Sequence, residues 1–278
     1  MAIRDILLTL TSYPDAAPVS VIDDAVSLAS ALGAHIAAIS YEAHVEVPGS
    51  LLGNSLGNVG AMVAKEARKS REAAEGLLAA FASTAEKAGL SFETVLEKCR
   101  THEVSSLLVD YARLRDLTIA TVPASYDQWY AEAIIFGSGR PTLVLPETRK
   151  KTFELRTAVV AWDFSRAAAR AVADAIPLLE KAREVRIVTV ENEKILGSRH
   201  STEALAGNLA RHGIEVVVER VDAVGRPIGE VLEAAAASCA ADCLVMGAYG
   251  HSRFREFVLG GATRSLLSKP PLPILFSH

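Results

Sequence analysis

The sequence predicts an α/β protein of two tandem domains, each a five-stranded parallel sheet with helices on both faces. Three observations carry that expectation. The two halves begin alike, with residues 3–12 (IRDILLTLTS) matching residues 155–164 (LRTAVVAWDF). Their later strands also match, residues 116–125 (DLTIATVPAS) against 242–251 (DCLVMGAYGH), and both halves close on a proline and an apolar strand, RPTLVLPE and LPILFSH. Within each half, short β-branched runs without clean alternation, as strands buried on both faces require, take turns with helical patterns. A repeat this long marks duplicated domains rather than a solenoid. The expected domains are residues 1–148 and 153–278, joined through the charged stretch PETRKKTFE.

In the second half, TAVVAW is the first strand. FSRAAARAVADAIPLLEKA follows as an alanine-rich helix capped by Ser165, which Pro177 should kink or break. VRIVTV is the next strand. STEALAGNLARHG reads as a helix from a capping-box-like start to Gly213 as a stop, and IEVVVERV as another strand. IGEVLEAAAASCAA gives one more helix before DCLVMG, a glycine loop, a helix and the closing strand. The first half repeats this order, with a helix ending at Gly33, the strand HIAAISY, a helix from about Ala61 to Ala88, the strand FETVLE and a helix around Val104 to Leu114. It is the longer half, and most of the extra length follows its second strand, around VEVPGSLLGNSLGNVG.

Composition narrows the function. Among 278 residues, 50% are hydrophobic and 22% charged, which suits a packed globular protein without staples. The net charge of -4, with no basic cluster interleaved with aromatics, argues against nucleic acid as a partner. No apolar run approaches the roughly 20 residues of a membrane span. The start MAIRDILLTLTSYP does not look like a secretory leader, so the expected location is the cytoplasm. Three cysteines, Cys99, Cys239 and Cys243, form an odd set, expected reduced.

The chemistry should sit where an open parallel sheet binds ligands, beyond the carboxyl ends of its strands at the point where strand order reverses. In the second half those ends are Asp163, Val190 with Glu191, and Gly247 to Gly250. Glycines there let backbone N–H groups approach an anion, and a helix beginning near Gly260 and Gly261 offers unpaired N–H groups with a positive dipole end. Phosphate is the expected visitor. Asp163 serves equally as a cap for the helix that follows, and His251, Arg253, Arg255 and Arg264 either screen phosphate charge or are solvated surface groups.

The spacing Gly247-x2-Gly250-x9-Gly260, Asp163 after the first strand, the element order and the closing PLPILF together resemble the universal stress protein family. The resemblance spans the chain as a tandem of two Rossmann-like (adenine nucleotide alpha hydrolase-like) domains. It implies an adenine-nucleotide-binding stress-response protein, a switch or sensor taking ATP or AMP, with or without Mg, and hydrolysing ATP slowly if at all. The glycine motif would hold phosphates and ribose, Asp163 would lie near the adenine, and the backbone at Val190 would contact the base. Gly261, Ala262 and Thr263 would donate backbone N–H groups on the phosphate side. The sequence departs from the family at Gly261, where the motif has Ser or Thr, and one hydroxyl contact is lost unless Thr263 replaces it. The first half departs further: Thr11, Thr121 and Ala124 stand for Asp163, Gly247 and Gly250, and its last loop and helix are shorter. It is expected to keep the sheet without the nucleotide site. The two halves should pair as subunits of a pseudo-symmetric dimer, through their closing strands.

Other chemistries fare worse. Cys239 and Cys243 with His200, His212 or His251 fall on elements whose side chains need not converge on zinc, and no H-E-x-x-H pattern occurs. The stretch GNSLG at 53–57 fits G-x-S-x-G, but Pro48-Gly49 breaks the strand that a nucleophile elbow at Ser55 requires. No Walker lysine is present, so no catalytic residue is assigned. A protein partner is open, as is a homodimer beyond the intramolecular pair. The alternative function is a nucleotide-independent docking module of the same fold.

Overall fold

The computed structural model describes residues 2–44, 59–122, 129–146, 154–191, 201–248 and 260–278. In the first half, β1 (Asp5–Thr9), β2 (His35–His44), β3 (Phe92–Arg100), β4 (Leu117–Val122) and β5 (Thr142–Pro146) alternate with α1 (Ser20–Leu32), α2 (Val59–Lys87), α3 (Val104–Arg113) and α4 (Trp129–Gly137). The second half repeats the series as β6 (Thr157–Ala161), α5 (Arg166–Leu179), β7 (Glu184–Glu191), α6 (Thr202–Ala210), β8 (Val216–Asp222), α7 (Ile228–Ser238), β9 (Cys243–Gly247), α8 (Gly261–Ser268) and β10 (Ile274–Ser277). The expected alternation is therefore present in both halves.

The two five-stranded sets merge into one ten-stranded sheet, ordered β3-β2-β1-β4-β5-β10-β9-β6-β7-β8. Neighbours within each half are parallel. The halves join where β5 meets β10 antiparallel, with Val144 opposite Ile274 and Leu143 opposite Leu275. These are the closing strands that the sequence set against each other. Because that junction is antiparallel, the strands of the two halves run in opposite senses, and their carboxyl ends lie on opposite edges of the sheet.

Burial explains why the strands lack clean alternation. In β1, Ile6 and Leu8 pack toward α1 and α2 while Leu7 packs toward the other face, and all three are fully buried. Along much of the edge strands β3 and β8, half-buried and exposed positions alternate. One apolar layer holds α1, α2, α5 and α6 against the sheet, and the second holds α3, α4, α7 and α8.

The amino ends of the first strands are fastened identically. Asp116 Oδ2 accepts the backbone N–H groups of Arg4 and Asp5 at 2.9 and 3.1 Å. Asp242 Oδ2 accepts those of Arg156 and Thr157, both at 2.9 Å. A carboxylate receiving two N–H groups ties β4 to β1 and β9 to β6 before the ladders begin.

Helix ends follow the local sequence. Gly33 ends α1 in the left-handed region at φ 61°, with Ala34 N donating to Ala29 O. Ser165 caps α5, its hydroxyl accepting from Ala168 N at 3.0 Å. Pro177 does not end α5, which runs to Leu179. It sits in the last turn, where it cannot donate the ladder bond that the carbonyl four residues back would accept, and its ring is buried. The extra length of the first half lies where expected: the interval from Ile36 to its partner Phe92 is nearly twice that from Val185 to Val216. Cys99, Cys239 and Cys243 are free thiols; Cys243 is buried and the other two are half-buried. No helix among the described residues is long and apolar enough to cross a membrane.

Candidate functional site

In the second half, strand order reverses at β6, which has β7 on one side and β9 on the other. The connections leaving β6 and β9 pass to opposite faces of the sheet and open a crevice beyond their carboxyl ends. Since α5 and α8 run back antiparallel to the strands they follow, both helices begin at this edge.

Asp163 stands two residues beyond β6 and is half-buried. Its Oδ1 accepts the N–H of Ser165 at 3.1 Å. The carboxylate therefore closes a turn onto Ser165, the residue that caps α5, and its place at the crevice leaves that turn compatible with ligand contact. The next residue, Phe164, has φ 62°. A bulky L-residue in the left-handed region is strained, and here the strain lies beside Asp163. The ring of Phe164 stands edge-on to Trp162, with centroids 5.6 Å apart. Trp162 Nε1 is buried and has no hydrogen-bond partner among the described residues. Sequence reasoning passed over this aromatic pair; its only trace was the WDF triplet around Asp163.

Val190, in the last turns of β7, is half-buried and pairs with Val221. Gly247 ends β9, and its backbone meets α5. A Cβ there would stand 2.4 Å from the Ala167 carbonyl carbon and 2.5 Å from Ala168 N. Among the described residues, what comes close to this glycine is the first turn of α5, and that helix–strand packing by itself already requires glycine here. Gly250 lies outside the described residues, as do His251, Arg253 and Arg255. Ala248 N donates to Ser277 O at 2.7 Å, fixing the start of the glycine loop against β10.

Gly260 is the cap of α8, extended at φ -61° and ψ 146°, with no side-chain bond. The first intrahelical bond runs from Arg264 N to Gly260 O at 2.9 Å, so Gly261, Ala262 and Thr263 occupy the first turn, whose N–H groups lack helical acceptors. Gly261 is exposed, and none of the described residues lies within 4 Å of where its Cβ would be. Thr263, two residues on, is only 1% exposed.

The first half is built differently at the matched positions. By strand register Tyr41 is the counterpart of Val190. It is 1% exposed, its hydroxyl donates to Tyr13 O at 3.2 Å, and its ring lies 6.5 Å edge-on from Tyr130. Its carbonyl accepts from Ser12 Oγ, which stands 3.0 Å from Ser70 Oγ. Thr11 and Thr121 are each 5% exposed, and their hydroxyls are buried without a hydrogen-bond partner among the described residues. The chain's own side chains fill this edge. Ala124 and Ser55 lie outside the described residues.

Among the described residues no group of three or more His, Cys, Asp or Glu could hold a metal ion. The described crevice offers the carboxylates of Asp163 and Glu191, a strand end and backbone N–H groups, a set suited to holding a ligand.

Residues 154–278 match the model of the Universal stress protein family. No curated protein matches the chain. Among solved structures, a universal stress protein from Archaeoglobus fulgidus DSM 4304 aligns over 98% of this chain and 97% of its own, at 15% identity and TM-score 0.69. A putative universal stress protein from Pseudomonas aeruginosa UCBPP-PA14 aligns over 99% of this chain and 93% of its own, at 13% identity and TM-score 0.58. At these identities the likeness is one of fold, and it extends across both halves.

Proposed function

Residues 154–278 being a universal stress protein domain, we propose that this half binds one adenine nucleotide, ATP or AMP, and that the chain acts as a cytoplasmic switch or sensor rather than a fast enzyme. The reading rests above all on one convergence: Asp163, the β7 end at Val190, the end of β9 at Gly247 and the first turn of α8 at Gly260 to Thr263 share one carboxyl edge. N–H groups of a helix's first turn favour phosphate, with or without Mg, while the strand end at Val190 offers backbone groups to a base. Residues 1–148 form the partner domain without a nucleotide, because Tyr41 lies where Val190 stands in the other half. The described crevice holds no base aimed at a γ-phosphate, which favours binding over turnover.

Titration calorimetry with ATP and Mg, on protein stripped of carried-over ligand, tests this. One site per chain is expected. Two sites would refute the asymmetry between halves. No heat for ATP, ADP or AMP, with equilibrium dialysis in agreement, would favour the second reading, a nucleotide-independent docking module. That reading draws support from Gly247 and Asp163, whose contacts with the start of α5 already account for both residues.

A further inference from the structure

At the junction of the two halves, on the face that carries α1 and α5, lies a pocket of about 270 Å³. Its floor is apolar, formed by Ile3, Leu32, Ile176 and Pro177. Its rim carries three basic side chains, Arg4, Lys181 and His212, against one carboxylate, Glu180, all of them exposed. Arg4 precedes β1 and Leu32 ends α1; Ile176 to Lys181 close α5, and His212 follows α6. Every one of these lies at the amino ends of its own half's strands, away from the crevices at the carboxyl ends.

The basic groups are not used elsewhere. Among the described residues, the side chains of Arg4, Lys181 and His212 make no hydrogen bond or ion pair. They are not needed as helix caps either. The last carbonyls of α1 accept from Gly33 N and Ala34 N, and those of α5 accept from Glu180 N and Lys181 N. An apolar floor ringed by unpaired donors at a domain junction has the composition of a small-molecule site.

We propose that this junction pocket binds a small organic anion, a carboxylate or phosphate ester on a short apolar body. The apolar part would leave water for Ile3, Leu32, Ile176 and Pro177. The anionic head would take the planar fork of Arg4 from the first half, with Lys181 and an imidazole N–H of His212 from the second. The volume of about 270 Å³ suits a small ligand. Such a ligand bridges the halves through side chains from each, at a place remote from Asp163 and Gly260.

Titrations of the full chain with hexanoate and with phenyl phosphate test the proposal, with hexanol and hexylammonium as controls. Saturable binding of at least one anion below about 10 mM is expected, at least about tenfold tighter than either control. Arg4→Glu and Lys181→Glu, both on exposed positions, should each weaken it about tenfold or more, while Asp163→Ala leaves it unchanged. Circular dichroism confirms that the variants are folded. Absence of saturable binding by both anions, equal binding of hexylammonium, or indifference to both charge reversals would overturn the assignment.

Discussion

Gly247 and Ala167 meet backbone to backbone, so closely that a Cβ at position 247 would stand 2.4 Å from the Ala167 carbonyl carbon. Neither a strand end nor a helix start bends cheaply. Gly247→Ala should therefore destabilise the protein by about 1–3 kcal/mol through overpacking, read as a lower urea midpoint with unchanged slope. A variant as stable as the wild type would mean that the α5 contact is not what requires glycine.

Gly261 offers the opposite case, with open space around its missing Cβ. Gly261→Ser should leave the urea midpoint within about 0.5 kcal/mol of wild type. If the first turn of α8 receives phosphate, the added hydroxyl should tighten nucleotide binding by about tenfold, a hydrogen bond to a charged group contributing about 1.5–3 kcal/mol. Calorimetry showing unchanged affinity would place the phosphates elsewhere.

Asp116 and Asp242 each receive two backbone N–H groups at equivalent strand starts. Asp116→Ala and Asp242→Ala should each cost about 1–3 kcal/mol, with the two losses similar in size. A large difference between them in denaturant melts would contradict the equivalence of the two fastenings.

Tyr41→Phe removes the bond to Tyr13 O and should cost about 1 kcal/mol, whereas Tyr41→Ala empties a fully buried site and should cost about 3–5 kcal/mol. Thermal melts read both. Equal, small losses would mean that the ring does not fill the edge of the first half.

Burial, with the carboxylates of Glu103 and Glu97 adding to it, pushes the Cys99 thiol up to about 11. The thiol is thus neutral at pH 8, with about one molecule in a thousand as thiolate. Iodoacetamide at pH 8 should alkylate it far more slowly than a free peptide thiol, and the rate should climb as pH rises toward 11. Rapid labelling at pH 8 would contradict this.

The repeat was legible because parallel strands buried on both faces must be apolar throughout, so β1 and β6, and β4 and β9, kept recognisable runs. The pairing of β5 with β10 was readable for the same reason: two apolar strands after prolines need a neighbour. At the site, the sequence located Asp163, Gly247 and Gly260 on one edge but not what each touches. A glycine required by a neighbouring helix and one required by a ligand look alike in sequence, and only the position of Ala167 separates them. Phe164 was illegible because φ is set by tertiary packing, and nothing about phenylalanine announces the left-handed region. Pro177, expected to kink or break α5, does not break it, because it lies close to a helix end that sequence places poorly.

The antiparallel meeting of β5 and β10 sets this chain apart from an assembly of two identical copies. In such an assembly every substitution is made twice, so whatever closes one crevice closes both. Here the two sides of the junction are written separately in one polypeptide. Tyr41 can block one edge while Val190 leaves the other unobstructed by its own side chain, and dilution cannot part them, since the halves are covalently held at a fixed effective concentration. Covalent joining thus frees each half to specialise.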